Sequence, residues 1–305
     1  MDTALKNCNL CFFNKFKKAD SDVLDFEYAS SGSYTYYICG QCGLLSIDPL
    51  PDEVKLDEAY PENYHAYHPH VTAAARFMKR RYWKAKAFYY ANLVKKNASI
   101  IELGCSFGDL LMELKKIGFS NIKGIDFNQK AVERAKERGL EVIRGELETV
   151  VFPEKSAQLI IMENFIEHVY DPVKTLRQCH SLLNDDGLVA GETPNIESWD
   201  YKLFHRYWGG YHTPRHLNLF NKKNFYILAE KSGFEVVSMK NLTQPAHWAL
   251  SVQNFLQDTV LKSNLKNGRA FYFPALLVLF LPINLLQKFI SQTSLMQFVM
   301  KKKVE

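Results

Sequence analysis

Residues Glu102 to Gly108 read Glu-Leu-Gly-Cys-Ser-Phe-Gly, and this stretch decides the fold. It follows the apolar pair Ile100-Ile101 and precedes a helical pattern that begins at Asp109, so it predicts a strand-turn-helix unit. Its two glycines allow a sharp turn and let a ligand approach the main chain closely. The next short strand ends on Asp126, an acid in position to accept hydrogen bonds from ribose hydroxyls. The combination indicates a site for a nucleoside-type cofactor.

The glycine loop fits three patterns to different degrees. A dinucleotide loop, Gly-x-Gly-x-x-Gly, requires glycines where Ser106 and Asp109 stand, so it would accommodate a pyrophosphate poorly. Gly104 to Gly108 also read Gly-x-Ser-x-Gly, the nucleophile elbow of α/β-hydrolases. That elbow normally follows several strands of its sheet, whereas one predicted strand precedes it here. The third pattern places an acid two residues before the first glycine and another glycine four residues after it.

This third pattern resembles motif I of the class I S-adenosylmethionine-dependent methyltransferases. In that family the acid and the loop hold the methionine end of the cofactor, and the acid of the next strand holds the ribose. Two residues after the following strand lie where the family contacts the adenine. The resemblance implies cofactor-binding roles for Glu102, Gly104, Ser106, Gly108, Asp126, Glu146 and Leu147.

Strands and helices alternate regularly beyond this loop, which predicts a parallel, doubly wound α/β sheet. The resemblance covers about residues 96–305 and implies a Rossmann-like sheet of seven strands. It also implies that the last strand, around 296–302, is antiparallel. Ala157-Gln158 departs from the family, which usually has an aromatic residue followed by aspartate there. The matching motifs are Glu-His-Val-x-Asp-Pro at 167–172, Leu-Leu-x-x-x-Gly at 182–187, Thr-Pro-Asn at 193–195, Pro-Arg-His-Leu at 214–217 and Ser-Gly-Phe-Glu-Val at 232–236.

Two Cys-x-x-Cys pairs near the N-terminus are separated by 27 residues. Four thiolates in two such pairs complete a tetrahedral site, which predicts a structural zinc ribbon with the ligands Cys8, Cys11, Cys39 and Cys42. The separation exceeds the usual spacing of about 15–20 residues, and Ser30-Ser31-Gly32-Ser33 is interpreted as a hairpin tip that takes up the extra length. Reduced cysteines without metal, or a redox pair, are the alternatives. With the ribbon, the resemblance points to methyltransferases of sugar and surface-polysaccharide biosynthesis.

Length and composition fit one α/β domain with a small additional module. The chain has 305 residues, of which 47% are apolar, and a net charge of +5 that does not by itself indicate nucleic acid. We predict a zinc-ribbon domain at 1–58, a helical linker or cap at 59–95 and a methyltransferase domain at 96–305. The first residues lack the apolar core of a signal peptide, and the cysteine pattern fits a reducing cytoplasm.

Residues 76–96 form a predicted helix with eight lysines or arginines and no acid, interleaved with aromatic side chains. One interpretation is a solvated basic helix that packs through its aromatic residues. The other is a surface that faces the phosphates of a nucleotide, a lipid headgroup or RNA.

An apolar insertion at about 246–292 interrupts the methyltransferase domain. Within it, residues 270–287 contain 18 positions without a charge, and Pro274 and Pro282 would interrupt a membrane-spanning helix. A buried cap, a wall of the acceptor site or a dimer face is favoured. A patch on a membrane surface is the next interpretation, followed by a membrane span.

Methyl transfer from a sulfonium requires mainly that the acceptor is aligned and water excluded. A base is needed only when the acceptor, such as a sugar hydroxyl, must lose a proton. His168, predicted at the carboxyl end of the fourth strand, is the first candidate for that base, with capping of the next helix as its alternative. His212 and His216 flank Arg215 in a loop that could close over the acceptor, with Arg215 on an anionic group, or could simply pack.

The sequence therefore predicts a cytoplasmic methyltransferase that uses S-adenosylmethionine and zinc, peripheral to the inner face of the membrane if the apolar insertion touches lipid. The expected acceptor is a small molecule or a lipid-linked sugar, with O-methylation favoured. Nucleic acid is not the expected partner. The alternatives are an RNA methyltransferase that uses the ribbon and the basic helix, and a non-catalytic scaffold with a vestigial cofactor site.

Overall fold

The computed structural model describes residues 5–61, 64, 73–147, 149–150, 152–290 and 292–303. The strands are β1 (Phe16–Val23), β2 (Tyr34–Cys39), β3 (Leu45–Asp48), β4 (Ile100–Leu103), β5 (Ile122–Asp126), β6 (Glu141–Arg144), β7 (Ala157–Glu163), β8 (Leu183–Pro194), β9 (Asn218–Leu219), β10 (Phe234–Leu242) and β11 (Leu295–Lys302). The α-helices are α1 (Glu53–Glu58), α2 (Ala73–Ala91), α3 (Asp109–Lys116), α4 (Gln129–Glu137), α5 (Pro172–Leu182), α6 (Trp199–Phe204), α7 (Lys222–Lys231), α8 (Pro245–Thr259) and α9 (Phe273–Phe289).

A seven-stranded sheet forms the centre of the molecule, in the order β10-β11-β8-β7-β4-β5-β6. Its strands β4 to β8 pair in parallel, and β11 runs antiparallel to both of its neighbours. The predicted fold class, a doubly wound sheet whose last strand is antiparallel, is confirmed. Side chains cap the first turns of α4 and α5, since Asn128 accepts the Ala131 N–H and Asp171 accepts the Lys174 N–H.

The central strands are buried on both faces, because helices cover each side of a parallel sheet. Successive side chains of β4 and β7 point to opposite faces, as the period of two in a strand requires. On one face Ile101 and Met162 join a large core cluster, and on the other Ile100 and Ile161 pack with Leu111. This apolar core fixes the edge of the sheet at which β4, β5 and β7 end.

A second sheet holds the cysteine-rich N-terminal region against the rest of the protein. Its order is β1-β2-β3-β9, and β9 comes from the loop after β8. The register pairs Leu45 with Leu219 and Ser46 with Asn218. The N-terminal sheet is therefore completed by residues of the C-terminal region.

Helix α2 carries most of the basic stretch, and two of its lysines form ion pairs with acids of the protein. Lys86 is buried and forms ion pairs with Glu163, at 2.9 Å, and with Glu192. Tyr90 donates its hydroxyl to Glu163, and Lys79 pairs with Asp109 at 2.8 Å. Burial lowers the pKa of Lys86, and the carboxylate of Glu163 opposes that effect. Lys86 therefore neutralises carboxylates at the carboxyl edge of the sheet, a role that neither interpretation of this basic helix anticipated.

The apolar insertion forms α8 and α9, which pack on one another. α9 leaves Val278, Leu279, Leu286 and Phe289 exposed, so the prediction of a buried cap is wrong for this helix. Among the residues that the structure describes, no helix combines the length and the apolar character needed to cross a bilayer.

We expect the Lys86→Ala substitution to lower the free energy of unfolding by about 3–5 kcal/mol, because it leaves buried carboxylates without their cation. Urea denaturation monitored by circular dichroism measures the change. Arg80→Ala, at an exposed position of the same helix, is the matched control and should change stability by less than about 0.5 kcal/mol. Equal effects of the two substitutions would contradict the structural role of Lys86.

Candidate functional site

The glycine loop leaves β4 in a left-handed conformation. Gly104 has φ 69°, Ser106 has φ 46° and Gly108 has φ 70°. A Cβ atom on Gly104 would lie 2.9 Å from the ring of Phe165, so a side chain at this position would fill the space over the loop. Glycine is required at position 104 by both its backbone angle and the close approach of Phe165.

Asp126 ties the loop to the end of β5. Its Oδ2 accepts the Ser106 N–H at 2.8 Å, and its Oδ1 accepts the Asn128 N–H at 2.9 Å. Burial raises the pKa of this carboxyl, and the two backbone hydrogen bonds oppose that effect. Because each carboxylate oxygen has two lone pairs, Asp126 can still accept hydrogen bonds from a ribose.

Glu102 is a buried acid beneath the loop. Only 2% of its surface is exposed, and Oε2 has no hydrogen-bond partner within the described part of the chain. Burial raises the pKa of Glu102 well above its usual value, with further contributions from Glu163, Asp109 and Asp126. An acidic, partly unsatisfied pocket favours a ligand with positive charge. S-adenosylmethionine carries an ammonium and a sulfonium, so the residues present fit this cofactor.

Glu146 and Leu147 follow β6, the edge strand beside β5. Leu147 is buried in the core, whereas Glu146 is exposed. Since Asp126 is in register with Arg144, both residues lie at the same end of the sheet as the ribose-binding acid. This position is compatible with the adenine-contacting role that the resemblance implies.

The three predicted histidines come together in space. The ring centroid of His216 lies 4.6 Å from that of His168 and 5.0 Å from that of His212. His168 ends a 3-10 turn after β7, and the other two lie in the loop before β9. The Leu217 N–H donates to the Glu167 carbonyl at 2.8 Å, which holds that loop against the turn.

His216 is buried and His168 is partly buried, and both environments favour the neutral ring. Burial lowers the pKa of His168 to about 3, and the charges of His212 and Arg215 act in the same direction. Its Nδ1 lies 3.1 Å from the Tyr60 hydroxyl. Burial also lowers the pKa of His216 well below its usual value, and the Nδ1–H of its neutral ring donates to the Gly210 carbonyl at 2.8 Å. His168 is therefore not expected to titrate near the ordinary pKa of a histidine.

His212 has a different partner, the carboxylate of Glu27. The His212 Nδ1 lies 2.6 Å from Glu27 Oε1, and 15% of the His212 side chain is exposed. Burial raises the pKa of Glu27, but His212, Arg269 and Arg215 outweigh this effect and lower it well below the usual value. The φ angle of His212 is 39°, an unfavourable left-handed conformation for this residue. The surrounding contacts therefore hold His212 in a fixed orientation.

Arg215 is packed inside the protein, which is the second of the two roles that the sequence allows for it. Its fully buried guanidinium donates to the two oxygens of Asp25 at 3.0 and 3.1 Å, and to the Ala59 carbonyl at 2.8 Å. This bidentate pair fixes the loop that carries Glu27. Sequence reasoning missed Asp25 and Glu27, although both lie in the unusually long spacer between the cysteine pairs, which was the available signal.

Tyr60 connects the histidine cluster (His168, His212 and His216) with the cofactor loop. Its ring centroid lies 5.2 Å from that of Phe127, the residue after Asp126, and its hydroxyl reaches His168. The histidine cluster and the glycine loop therefore share the carboxyl edge of the sheet, where ligands bind in open α/β folds.

The four predicted zinc ligands also converge. Their sulfur atoms lie within 4.8 Å of one another, with 3.6 Å between Cys8 and Cys42 and 3.5 Å between Cys11 and Cys39. Zinc–sulfur bonds of about 2.3 Å in a tetrahedron place the sulfurs about 3.8 Å apart, whereas a disulfide requires about 2.0 Å. A hydrogen bond from Cys42 lowers the pKa of Cys8 to about 5. The four cysteine sulfurs are therefore placed as the ligands of a zinc ion would be.

The sequence profile of a methyltransferase domain matches residues 74–239, just over half of the chain. The chain belongs to this methyltransferase family. The match includes the glycine loop, Asp126 and all three histidines, and it confirms the predicted class, that of S-adenosylmethionine-dependent methyltransferases.

Individual relatives resemble this chain over part of their length. A Mycolicibacterium smegmatis protein named a probable S-adenosylmethionine-dependent methyltransferase is 24% identical over 170 residues, which are 52% of this chain and 61% of that protein. A Mycobacterium tuberculosis protein named in the same way is 27% identical over 32% of this chain and 35% of its own. The ubiquinone biosynthesis O-methyltransferase of Colwellia psychrerythraea is 29% identical over 34% of this chain and 45% of its own. The chain thus spans from about a third to three fifths of these proteins.

Solved structures agree with the fold. The complex of the Haloferax volcanii Trm112 methyltransferase activator with a methyltransferase aligns with a TM-score of 0.51 and 12% identity, over 75% of this chain and 92% of that one. The [4+2]-cyclase SpnF aligns with a TM-score of 0.50 and 12% identity, over 73% and 82%. Because a cyclase shares it, the fold alone does not identify the reaction.

We expect Asp126→Ala to weaken S-adenosylmethionine binding by about tenfold to a hundredfold, since charge-assisted hydrogen bonds contribute about 1.5–3 kcal/mol. Isothermal titration calorimetry gives the affinity. Asp185→Ala, at an exposed acid after α5, is the control and should bind as the parent does. An unchanged affinity in a folded Asp126→Ala protein would remove Asp126 from the site.

We expect about one zinc ion per chain, measured by elemental analysis of protein purified under reducing conditions. Cys8→Ser should lower the zinc content and destabilise the N-terminal sheet, because metal binding contributes to folding. Cys179→Ala, outside the cluster, should retain the zinc. Parent protein without zinc would disprove the metal assignment.

Proposed function

We propose that this protein transfers the methyl group of S-adenosylmethionine to a hydroxyl oxygen of a small molecule or a lipid-linked sugar. The carboxylate–histidine pair Glu27–His212, placed with two further histidines beside the cofactor loop, is the observation that carries the proposal. When bound, the cofactor supplies an electrophilic methyl group on a positively charged sulfur. An attacking hydroxyl must lose its proton, and a histidine can accept it.

Glu102, the glycine loop and Asp126 are proposed to hold the cofactor. Glu102 would compensate the positive charge at the methionine end, and Asp126 would accept hydrogen bonds from the ribose. Glu146 and Leu147 would border the adenine. This assignment is supported by the unsatisfied Oε2 of Glu102 and by the space that Gly104 leaves open.

His212 is proposed as the base, in preference to His168. Its side chain is partly exposed, whereas His216 is buried and burial lowers the pKa of His168 to about 3. The Glu27 carboxylate, 2.6 Å from His212 Nδ1, would compensate the positive charge that forms when the ring accepts the proton. His168 and His216 would line the acceptor site and orient the hydroxyl.

Glu27 is proposed as a positioning residue supplied by the zinc-ribbon domain at 1–58. The zinc ion would be structural and would stabilise the sheet from which the Asp25–Glu27 loop extends. The domain would thereby take part in the reaction without contacting the cofactor.

The internal ion pairs of the basic helix support a small acceptor over RNA. Two of its lysines, Lys86 and Lys79, pair with carboxylates, so fewer cations remain to face phosphates. The named function of the ubiquinone biosynthesis relatives, O-methylation, agrees with an oxygen acceptor. Incubation with radiolabelled cofactor and separate pools of nucleotide sugars, lipid-linked sugars and RNA tests the acceptor class. Label in RNA alone would overturn the proposal, and no binding of the cofactor would favour a scaffold.

We expect His212→Ala to lower turnover by about 10²–10⁴ with little change in cofactor affinity, since the base acts on the acceptor. Glu27→Gln should lower turnover by a smaller factor and Glu27→Asp should restore part of it. His180→Ala, on the distant helix α5, is the control. Turnover measured by product mass across a pH series should show the same profile in His168→Ala as in the parent, because His168 stays neutral. A larger loss in His168→Ala than in His212→Ala would move the base to His168.

A further inference from the structure

Helix α9 buries polar side chains and exposes apolar ones, the reverse of an ordinary surface helix. Its inward side holds polar residues that bond to α8: Gln287 accepts the Trp248 Nε1–H at 2.8 Å, and Asn284 accepts the Gln244 N–H. Phe280 stacks on Trp248 at 5.1 Å. The polar side chains of α9 thus attach the helix to the protein, and their hydrogen bonds are made inside it.

The outward side of α9 is apolar instead. Val278 is 74% exposed, Leu279 62%, Leu286 55% and Phe289 87%. Exposed apolar side chains continue into the preceding loop at Phe271. A contiguous apolar patch of this kind marks an interaction surface, since scattered single side chains would not need a partner.

The charges in the chain segment that carries this patch all have one sign. Between Thr259 and Val304 the sequence contains no aspartate or glutamate. Lys262 and Lys266 lie exposed in the loop that leads into α9, and Lys288 is exposed in its last turn. An apolar face with lysines at both ends is complementary to lipid chains beneath a layer of negative headgroups.

We propose that the outward face of α9 docks on the surface of an anionic phospholipid bilayer. The helix has 17 residues and contains Pro282, so it lies along the interface and does not cross it. A second copy of the chain fits less well, because it would bring one acid-free basic segment against another without counter-charges. The bilayer supplies both the apolar phase and the negative charge.

Docking through α9 would place the histidine cluster beside the membrane. α8 packs on α9 and also holds the loop that carries His212: the Gly209 N–H donates to Ser251 Oγ at 2.8 Å, and the ring of His247 lies 6.2 Å from that of His212. The acceptor would then be a lipid-linked molecule that enters from the bilayer surface. This last step rests on the proposed function, whereas the docking itself does not.

Flotation of the full-length protein with vesicles tests the docking. We expect binding to phosphatidylglycerol–phosphatidylcholine vesicles, weak binding to phosphatidylcholine alone, and loss of binding as salt concentration rises. Leu279→Glu with Leu286→Glu should reduce binding by at least about tenfold. Replacing Lys262, Lys266 and Lys288 by glutamine should weaken binding to the anionic vesicles by roughly fivefold per charge. Tyr226→Glu, at an exposed aromatic position on α7, is the control and should bind as the parent does.

The proposal would be overturned if the parent protein bound neither kind of vesicle. It would also be overturned if the parent bound both kinds equally and the lysine substitutions did not change that binding. Light scattering tests whether a second copy of the chain occupies this face instead. If the parent is a dimer and Leu279→Glu with Leu286→Glu converts it to a monomer, the face belongs to a second copy. Because flotation requires neither cofactor nor acceptor, its failure leaves the proposed methyl transfer untouched. Zinc content and circular dichroism of each variant verify its fold.

Discussion

The buried ion pair between Arg215 and Asp25 is the constraint on which the arrangement of the site depends. It joins residues 190 positions apart and lies where water cannot replace either partner. Losing one member of such a pair leaves an uncompensated charge in the interior, which is far more costly than losing an exposed pair. Around it the β3–β9 pairing and the contact between Glu27 and His212 bring the cysteine-rich region onto the histidine loop. The N-terminal region and the methyltransferase sheet therefore form one structural unit at this place.

Buried acids shape the cofactor side in a comparable way. Glu163 and Glu192 stand on adjacent strands at the carboxyl edge, and Lys86 from α2 compensates them. Glu102 lies on β4 next to β7, and no described residue supplies it with such a cation. The protein thus neutralises one part of an acidic edge with its own lysine and leaves the other part for a positively charged ligand.

Local patterns were sufficient to predict the parallel strands, the glycine loop and the cysteine cluster, whereas the antiparallel last strand followed from the family resemblance. Each depends on residues close together in the chain, such as the turn at Gly104 or the spacing within each Cys-x-x-Cys pair. The partners of Lys86 and Arg215 could not be predicted, because each pairs with acids far away in the sequence. No local sequence pattern distinguishes those acids from others. The sequence left open whether the apolar side chains of α9 are buried or exposed, because it does not show that Asn284 and Gln287 are the side chains that dock the helix. Periodicity shows that a helix has two faces, and only tertiary contacts show which one is inside.

The completion of the N-terminal sheet by β9 has a consequence for synthesis of the chain. Asn218 follows its partner Ser46 by 172 residues, so the outer edge of β3 has no partner while the intervening chain is made. An unpaired strand edge is prone to associate with other chains, and domains otherwise tend to fold as they emerge. Four cysteines located before residue 43 can gather around a metal during that interval and keep β1 to β3 together until the last strand arrives.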